Sequence, residues 1–412
     1  MARQHESGAA ALSTGVQRPN ERLPREIRVL VGAAFLIAIG YGIVAPAVPV
    51  FSRSFDVGVA AASGVVSAFA VMRLAFAPLG GRMLGRMGEL PVFCCGLLIV
   101  GLSSAACAFA ADYGQLLAFR AVGGAGSTMF TLSAASLLIK ISPPEMRGRA
   151  SGAWATGFLL GNIAGPIIGG ALVAVSLRAP FLIYACVLFG TLVVAGFLLR
   201  GRIGAGTGPE RSAAESLTFV AALRHPSFRA ALTANFVNGW TVYGVRIALV
   251  PLLVVDVLRQ PSSWAGLALS AFATGTAATL LIGGRLADRS GRRLPVLVGS
   301  ATVAITSAWL GFTTTVTGLL AASFLSGAGT GLMSPPVNAT VADVIAAKGR
   351  HSDGGRALAG FQMVGDVGAV TGPVLAGVVA ETGGYPAAFA VTAVIAAVSF
   401  VSWLYAPETL PR

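Results

Sequence analysis

The sequence predicts an all-α membrane protein in which twelve transmembrane helices form two pseudo-symmetric six-helix bundles. Three observations lead to this prediction: an apolar composition, an internal duplication and a one-sided distribution of basic residues. Hydrophobic residues make up 55% of the 412-residue chain and charged residues only 11%. This is too little polar surface to cover a soluble globule of that size, so the chain is expected to lie in a lipid bilayer.

Twelve apolar segments, numbered here as spans 1 to 12, are long enough to cross a bilayer when hydropathy is averaged over about 19 residues. They lie at residues 27–50, 59–80, 91–110, 115–138, 152–175, 180–199, 230–256, 263–284, 294–312, 316–339, 358–380 and 385–405. The polar residues 1–25 are predicted to be disordered. The first bundle is then 26–200, the second is 229–406, and 407–412 form a tail. Residues 201–228 are a linker with a short amphipathic helix at 213–223.

The second half of the chain repeats the first. Residues 80–82, Gly-Gly-Arg, reappear as residues 283–285, and residues 120–126 fall on residues 323–329 at the same offset of 203. Span 1 joins the repeat at an offset of 202, since Tyr41 falls on Tyr243. Duplicated sets of spans in the same order are the plan of one large class of secondary transporters.

The basic residues indicate the topology. All but six of the 29 lie in the terminal segments or in loops on one side of the predicted bundle. The six are Arg53, Arg178 and Arg259 in loops of the other side, and Arg73, Arg120 and Arg246 inside spans. The positive-inside rule then places both termini in the cytoplasm and the chain in the cell membrane. The net charge of +13 is thus a topology signal, and no nucleic acid is needed to explain it.

The loop between spans 8 and 9 reads Gly-Arg-Leu-Ala-Asp-Arg-Ser-Gly-Arg-Arg and resembles the signature loop of the major facilitator superfamily. The matching positions are Gly284, Asp288, Arg289, Gly291 and Arg292. The resemblance extends over residues 27–405. It implies a central cavity lined by spans 1, 4, 7 and 10, with span 2 packed on span 11 and span 5 on span 8. It also implies that Asp288 reaches the start of span 5.

The first copy of the loop departs from this pattern, with Gly85 in place of the acid and Glu89 in place of an arginine. Span 5 carries a glycine motif that resembles the one of the drug:proton antiporter branch: Gly161, Gly165, Pro166, Gly169 and Gly170. Span 11 holds a degenerate copy of it. Part of the motif is therefore expected to serve the close packing of helices.

Spans 4 and 10 carry equivalent polar stripes. Arg120, Gly124, Ser127 and Thr131 recur on one helical face, and the arginine with its glycines resembles the family's motif in this span. The stripe returns in span 10 as Ser323, Gly327, Thr330 and Ser334. An arginine in hydrocarbon is a functional residue by default, so these stripes are predicted to line the cavity. The alternative is that they only join packed helices.

Span 7 supplies the opposite wall of the predicted cavity. Asn235, Asn238, Tyr243 and Arg246 share an arc of roughly 140° on an ideal helix, and Tyr41 is a further candidate by the repeat. Arg120 and Arg246 are predicted to face each other in the outer half of one aqueous cavity. Hydrogen bonding between helices is the alternative role for the span 7 residues.

Of 16 acidic residues, only Asp366 lies deep in a predicted span, and no histidine does. Asp366 is therefore the candidate for proton coupling, and a salt bridge with Arg73 of span 2 is predicted because the two lie at matching depths. A lipophilic cation would meet the cavity arginines without compensation. Neutral or anionic substrates are favoured.

These observations favour a proton-coupled exporter of small amphiphilic compounds that works as a monomer by alternating access. An uptake carrier or facilitator for a sugar or organic acid on the same fold is the alternative. An enzyme or receptor is disfavoured because the spans contain no cluster of His, Cys and carboxylate groups for metal or acid–base chemistry. No metal, cofactor or ATP is predicted, since no phosphate-binding Gly-Lys-Ser/Thr loop is present.

Overall fold

The computed structural model describes residues 23–143, 146–199, 219–347 and 355–410, and within these ranges it is helical with no β-strand. The segment predicted to be disordered lies almost wholly outside these ranges, as do residues 201–218 of the predicted linker. The part of the linker that is described is already ordered, with a short helix at Phe219–Ala222 and span 7 beginning at Pro226.

All twelve predicted spans are present, and most are longer than their apolar cores. Their bounds are Arg25–Val44 continued by Ala47–Arg53 for span 1, then Val59–Met87, Glu89–Ala108, Tyr113–Ile141, Arg147–Val175 and Ala179–Leu199 for spans 2 to 6. Span 7 comprises Pro226–Asn238, the π-helical Gly239–Val245 and Arg246–Asp256. Spans 8 to 10 are Ser263–Ser290, Arg293–Phe312 and Val316–Ala346. Spans 11 and 12 follow each other within Gly355–Leu404 and are separated only at Gly384.

The duplication is also visible in the backbone at the turns. Gly88 and Gly291, which are 203 residues apart, have φ of 81° and 95° and separate span 2 from span 3 and span 8 from span 9. Asp56 and Arg259, again 203 apart, are the only described residues other than glycine with positive φ, at 57° and 52°. Such angles are uncommon for residues with a Cβ, so their recurrence at equivalent turns reflects one supersecondary plan used twice.

The two halves meet where the family resemblance implies, span 2 on span 11 and span 5 on span 8. Three hydrogen bonds cross this seam among the described residues. Ser67 Oγ donates to Val370 O at 2.7 Å, Ser270 Oγ donates to Ile163 O at 2.7 Å, and Ala60 N donates to Glu381 Oε2 at 2.8 Å. The first two are unusual because a hydroxyl satisfies a main-chain carbonyl of the other half.

All three bonds lie toward one end of the bundle, which we call the closed end and define by Gly58 and Glu381. The other end, called the open end, carries Gly88, Gly291 and the segment after Leu404. Tyr243 lies in the middle of span 7, and its side chain is nevertheless 54% exposed. The halves therefore enclose a central cavity that is sealed at the closed end and accessible from the open end.

Candidate functional site: the central cavity

Span 7 contains one residue more than span 1, and the extra residue forms the π-helical segment Gly239–Val245. The packing partners show where the offset between the halves changes. The glycines of span 5 contact Phe35, Ile39 and Gly42 of span 1, and the equivalent glycines of span 11 contact Phe236, Trp240 and Gly244 of span 7. The residues of the first two pairs are 201 positions apart, and those of the third pair are 202 apart. The insertion therefore lies at Thr241 or Val242. Single-turn π segments of this kind are frequent at functional sites.

The π segment presents Tyr243 to the cavity. Span 11, which carries Asp366, packs against this segment, and Tyr41 is the equivalent of Tyr243 in span 1. Together with Arg73 of span 2 these residues belong to both halves, and Asp366 is half-buried.

The predicted salt bridge between Arg73 and Asp366 is not formed in this conformation. The Arg73 guanidinium instead donates to Ser127 Oγ of span 4 at 3.4 Å. No basic nitrogen of the described residues lies within the 4.0 Å of Asp366 that defines an ion pair here. Arg73 thus bonds within its own half, because the Ser127 hydroxyl on the neighbouring span 4 is within its reach.

Arg120 does not face open water in this structure. It is 5% exposed, and its Cζ lies 4.6 Å from the centroid of the Phe69 ring of span 2. Its Nε has no hydrogen-bond partner in the described residues. The guanidinium is thus held by a cation–π contact inside the first half and not by a carboxylate.

Arg246 has an equivalent environment in the second half. It is 5% exposed, its Cζ lies 3.9 Å from the centroid of the Phe272 ring, and its Nη2 donates to Ser326 Oγ at 2.7 Å. Phe272 is the repeat of Phe69 at the offset of 203. Both arginines lie near the closed end, where the spans are packed together, so neither guanidinium lines the accessible part of the cavity in this conformation.

The polar stripe of span 4 packs on span 2 in the same half. A Cβ on Gly124 would collide with Phe69 O, Ser127 accepts from Arg73, and Thr131 Oγ1 bonds within its own helix to Ser127 O at 2.9 Å. Gly124 therefore belongs to a helix contact and not to a cavity wall, because only a residue without Cβ permits this approach. Its counterpart Gly327 contacts Phe272 O of span 8 in the same way.

The stripe of span 10 continues into a pocket between spans 7, 10 and 11. Thr330 is buried, and its carbonyl accepts from Ser334 Oγ at 2.7 Å. The pocket, which we call the amide pocket, is lined by Asn235, Asn238, Ser334 and Asn338 with Met333 and Phe361. Sequence reasoning missed Asn338, although it lies four residues after Ser334 on the same helical face.

The glycine motif of span 5 is a packing device with a second copy. Gly161, Gly165 and Gly169 contact the backbone of span 1, and Gly170, next to Pro166, contacts Ser263 and Gly266 of span 8 across the seam. In span 11, Gly368 and Gly372 contact span 7 while Gly377 contacts Ser63 of span 2 across the seam. Each copy therefore joins its span to the first span of its own half and to the other half at the closed end.

The signature loop is tied to the second half and not to span 5. Asp288 is exposed, and its nearest basic partner is Arg292 at 3.8 Å. Arg292 Nε also donates to Asp343 Oδ2 of span 10 at 3.2 Å, whereas Arg289 makes no ion pair with a described residue. The implied contact of Asp288 with span 5 is absent among the described residues, because the halves are separated at this end.

Glu408 fastens the loop to the segment after span 12. Its carboxylate accepts from the backbone N–H groups of Arg292 at 2.9 Å and Arg293 at 3.1 Å, beside the positive-φ turn at Gly291. Partial burial acts to raise the pKa of Glu408, but hydrogen bonds from the N–H groups of Arg292, Leu410, Arg293 and Thr409 outweigh it and hold the pKa below its usual value.

The first half holds an ion pair at the equivalent place with its charges reversed. Lys140 Nζ lies 3.1 Å from Glu89 Oε2, and these positions fall on Asp343 and Arg292 at the offset of 203. The departure of Glu89 from the family pattern is therefore compensated by a lysine at the end of span 4. Comparison of both positions across the repeat is the sequence signal that would have found the pair.

The described residues contain no group of three or more His, Cys, Asp and Glu side chains that could hold a metal ion. The site thus consists of a tyrosine-lined cavity with one arginine and one carboxylate, two buried arginines near its closed end, and the amide pocket beside it.

The chain is similar to transporters in sequence and structure. The Quinolone resistance protein NorA of Staphylococcus aureus is 30% identical over 157 residues, 38% of this chain and 40% of that protein. The class E Tetracycline resistance protein of Escherichia coli is 34% identical over 179 residues, 43% of this chain and 44% of that protein. The chain thus spans less than half the length of the curated relatives it matches.

Solved structures match over 92% of the chain. A bacterial homologue of the human lysosomal transporter Spinster, inward-facing and unoccupied, superposes with a TM-score of 0.72 at 17% identity and 95% coverage of that chain. The human organic anion transporter MFSD10 (TETRAN) superposes with a TM-score of 0.66 at 17% identity and full coverage of that chain. These likenesses establish the fold alone. The sequence profile of the Major Facilitator Superfamily matches residues 30–260 and 231–412, so the chain belongs to this superfamily of multi-pass membrane transporters and is not an enzyme.

Proposed function

We propose that the protein is a proton-coupled exporter of small neutral or anionic amphiphilic compounds. It acts as a monomer in the cell membrane, without ATP and with both termini in the cytoplasm. The proposal is supported by Tyr243, which is exposed midway along span 7 between two halves that are hydrogen-bonded to each other at the closed end, and by Asp366, which is half-buried in the adjoining span 11. The similarity to two proteins named for resistance to quinolones and to tetracycline supports export.

The charges around the cavity favour the substrate class. Arg73 reaches its centre, while Arg120 and Arg246 are buried near its closed end without a carboxylate partner. Opening of the closed end would uncover these two guanidinium groups. An anionic or electron-rich compound would then meet positive potential, and a cationic compound would be repelled.

The coupling step follows from the two positions that Arg73 can take. In the present conformation it donates to Ser127. Closure of the open end would bring spans 2 and 11 together along their whole length and set Arg73 against Asp366. Protonation of Asp366 would remove this attraction and release the open end, so that proton binding on one side and substrate release on the other become alternate events.

The test is substitution of Asp366 by Asn in proteoliposomes with an imposed pH gradient of either sign and a panel of labelled compounds. Concentrative transport should be lost, whereas exchange of substrate across the membrane without a gradient should remain, because the amide mimics the protonated acid. Asp56→Asn, an exposed acid in the turn after span 1 at the closed end, is the matched control and should retain concentrative transport, because Asn also adopts the positive φ of this turn. Gradient-driven accumulation in the Asp366 variant would refute the assignment.

An uptake carrier or facilitator for an organic acid is the second candidate, and the three arginines favour it. One measurement, the intracellular accumulation of the transported compound, distinguishes export from uptake. Deletion of the gene should raise intracellular accumulation of the transported compound if the protein exports it, and should lower accumulation if the protein imports it.

A further inference from the structure

We propose that the amide pocket holds a neutral hydrogen-bonding group, a carboxamide or a hydroxyl, at the polar end of the transported compound. This inference rests on the proposed function, because it assumes an amphiphilic substrate in the central cavity. The pocket is formed by spans 7, 10 and 11 of the second half, and its polar lining consists of Asn235, Asn238, Ser334 and Asn338.

Two of these side chains have no hydrogen-bond partner in the described part of the chain. Asn235 Nδ2 donates to Phe361 O at 2.6 Å, and the Ser334 hydroxyl donates within its own helix. The amides of Asn238 and Asn338 make no hydrogen bond with any described residue, although both line the pocket. Each therefore offers a free carbonyl oxygen and a free NH₂ group. Both groups are accessible from the pocket, since Asn338 is exposed and Asn238 is half-buried, so a ligand can reach them.

The duplication shows that the fold itself does not require this pocket. The residues of the first half equivalent to Asn235, Asn238 and Asn338 are Ala34, Ile37 and Ala135, with the offsets given by the packing of each span. The equivalents of Met333 and Phe361 are Phe130 and Trp154, whose rings lie 6.5 Å apart and stack. The same space is therefore closed by aromatic rings in one half and lined by amides in the other.

The chemistry of the lining selects the ligand group. A carboxamide or hydroxyl can donate and accept at once and so satisfies both unpaired asparagines, whereas a carboxylate only accepts and an ammonium group only donates. No charged side chain lines the pocket. Its cavity volume of about 30 Å³ is far below the roughly 300–1,000 Å³ of sites for whole drug-sized ligands. Only one end of the compound fits, and its apolar body remains in the central cavity.

The experiment measures binding to the purified full-length protein in detergent, by calorimetric titration, with naphthalene-2-carboxamide and naphthalene-2-carboxylate as matched probes. The carboxamide should bind about tenfold more tightly than the carboxylate, the factor that corresponds to about 1.4 kcal/mol. Asn238→Ile and Asn338→Ala, which install the residues of the first half, should each weaken carboxamide binding about three- to tenfold and leave carboxylate binding unchanged.

The control is Ala135→Asn, which adds the same amide at the equivalent position of the first half and should leave both affinities unchanged. Asn338 is exposed, so its variant should fold normally even if Asn238→Ile does not. Failure of the protein to bind the carboxamide, or an equal loss for both probes, would overturn the pocket assignment. The binding measurement uses no proton gradient, so its outcome does not depend on proton coupling. If the protein binds the carboxamide selectively but shows no proton-driven export in proteoliposomes, only the proposed function is refuted.

Discussion

Two ion pairs at the open end occupy equivalent positions with opposite polarity. Glu89 and Lys140 in the first half correspond to Arg292 and Asp343 in the second. Both pairs fasten the start of one span to the end of the next span, so the structural role is shared while the sign of each charge is exchanged. Their burial differs, since the Arg292 side chain is 9% exposed and the Lys140 side chain 31%.

This difference predicts unequal effects on stability. Replacement of Arg292 by Gln should lower the free energy of unfolding by about 3 kcal/mol, because it leaves a partly buried carboxylate without its cation. Glu89→Arg or Lys140→Asp alone should lower it by about 1 kcal/mol, as is usual for exposed pairs. The double variant Glu89→Arg with Lys140→Asp should recover most of that loss in detergent unfolding. Arg285→Gln, which removes an exposed charge, is the control. If the two single losses add in the double variant, the charges of the Glu89–Lys140 pair are not interchangeable and the prediction is wrong.

The anchor formed by Glu408 predicts a pH dependence. Because its pKa is lowered in the folded protein, its contribution to stability is fully present above the unfolded value of about 4.3 and is lost as the pH falls through the folded pKa. Glu408→Gln should therefore lower the melting temperature at pH 7, and its difference from the wild type should shrink between about pH 5 and pH 3. A difference that is constant over this range would contradict the role of the carboxylate.

At the scale of single elements, the π segment of span 7 departs most from the duplicated plan. Its extra residue turns the part of the span before Gly239 relative to the part after Val245. The residues Asn235 and Asn238 thus point to the amide pocket, Tyr243 to the cavity and Arg246 to Phe272. A regular helix would have kept all four on one arc.

Deletion of Val242 should convert the segment to a regular α-helix and bring Tyr243 to the orientation of Tyr41. We expect a folded protein with unchanged or higher melting temperature, since π turns are strained relative to α-helix, but with transport reduced at least tenfold. Val242→Ala, which keeps the chain length, should transport normally. Retention of transport in the deletion variant would show that the π segment has no functional part.

Hydropathy predicted the spans and small residues predicted the glycine contacts, because these properties report directly on helix length and close approach, whereas the seam was implied by the family resemblance. The positions of Arg120, Arg246 and Gly124 were not predictable in the same way. A helical projection at about 100° per residue assumes a regular helix, so it does not reveal the inserted residue in span 7. A helical face alone also does not tell whether its neighbour is water or the Phe69 ring.

At the scale of the whole molecule, the closed end is held together by a few contacts between the halves. Glu381 accepts from Ala60 N, and a Cβ on Gly58 would collide with the same carboxylate. Ser67 and Ser270 each reach a carbonyl of the other half. The protein can alternate between access to the cavity from the open end and access from the closed end if these few bonds break and others form at the open end.

This geometry predicts one-sided access to the cavity. In a variant without the four native cysteines, Tyr243→Cys should react with a membrane-impermeant maleimide in inverted vesicles and at least tenfold more slowly in intact cells, because the open end faces the cytoplasm in our proposal. Val250→Cys, at a fully buried position, should react from neither side. Addition of Glu381→Ala should speed labelling in intact cells. If Tyr243→Cys without Glu381→Ala is labelled faster in intact cells than in inverted vesicles, the proposed orientation in the membrane is wrong.

Gly384 is the only residue of Gly355–Leu404 with a non-helical backbone, at φ 81° and ψ 167°. Spans 11 and 12 are therefore connected by a single-residue turn and not by a loop. A tilt of span 11 at the seam would be transmitted directly to span 12 through this turn. Span 12 would therefore move with span 11, and the lipid in contact with span 12 would resist this movement during the transport cycle.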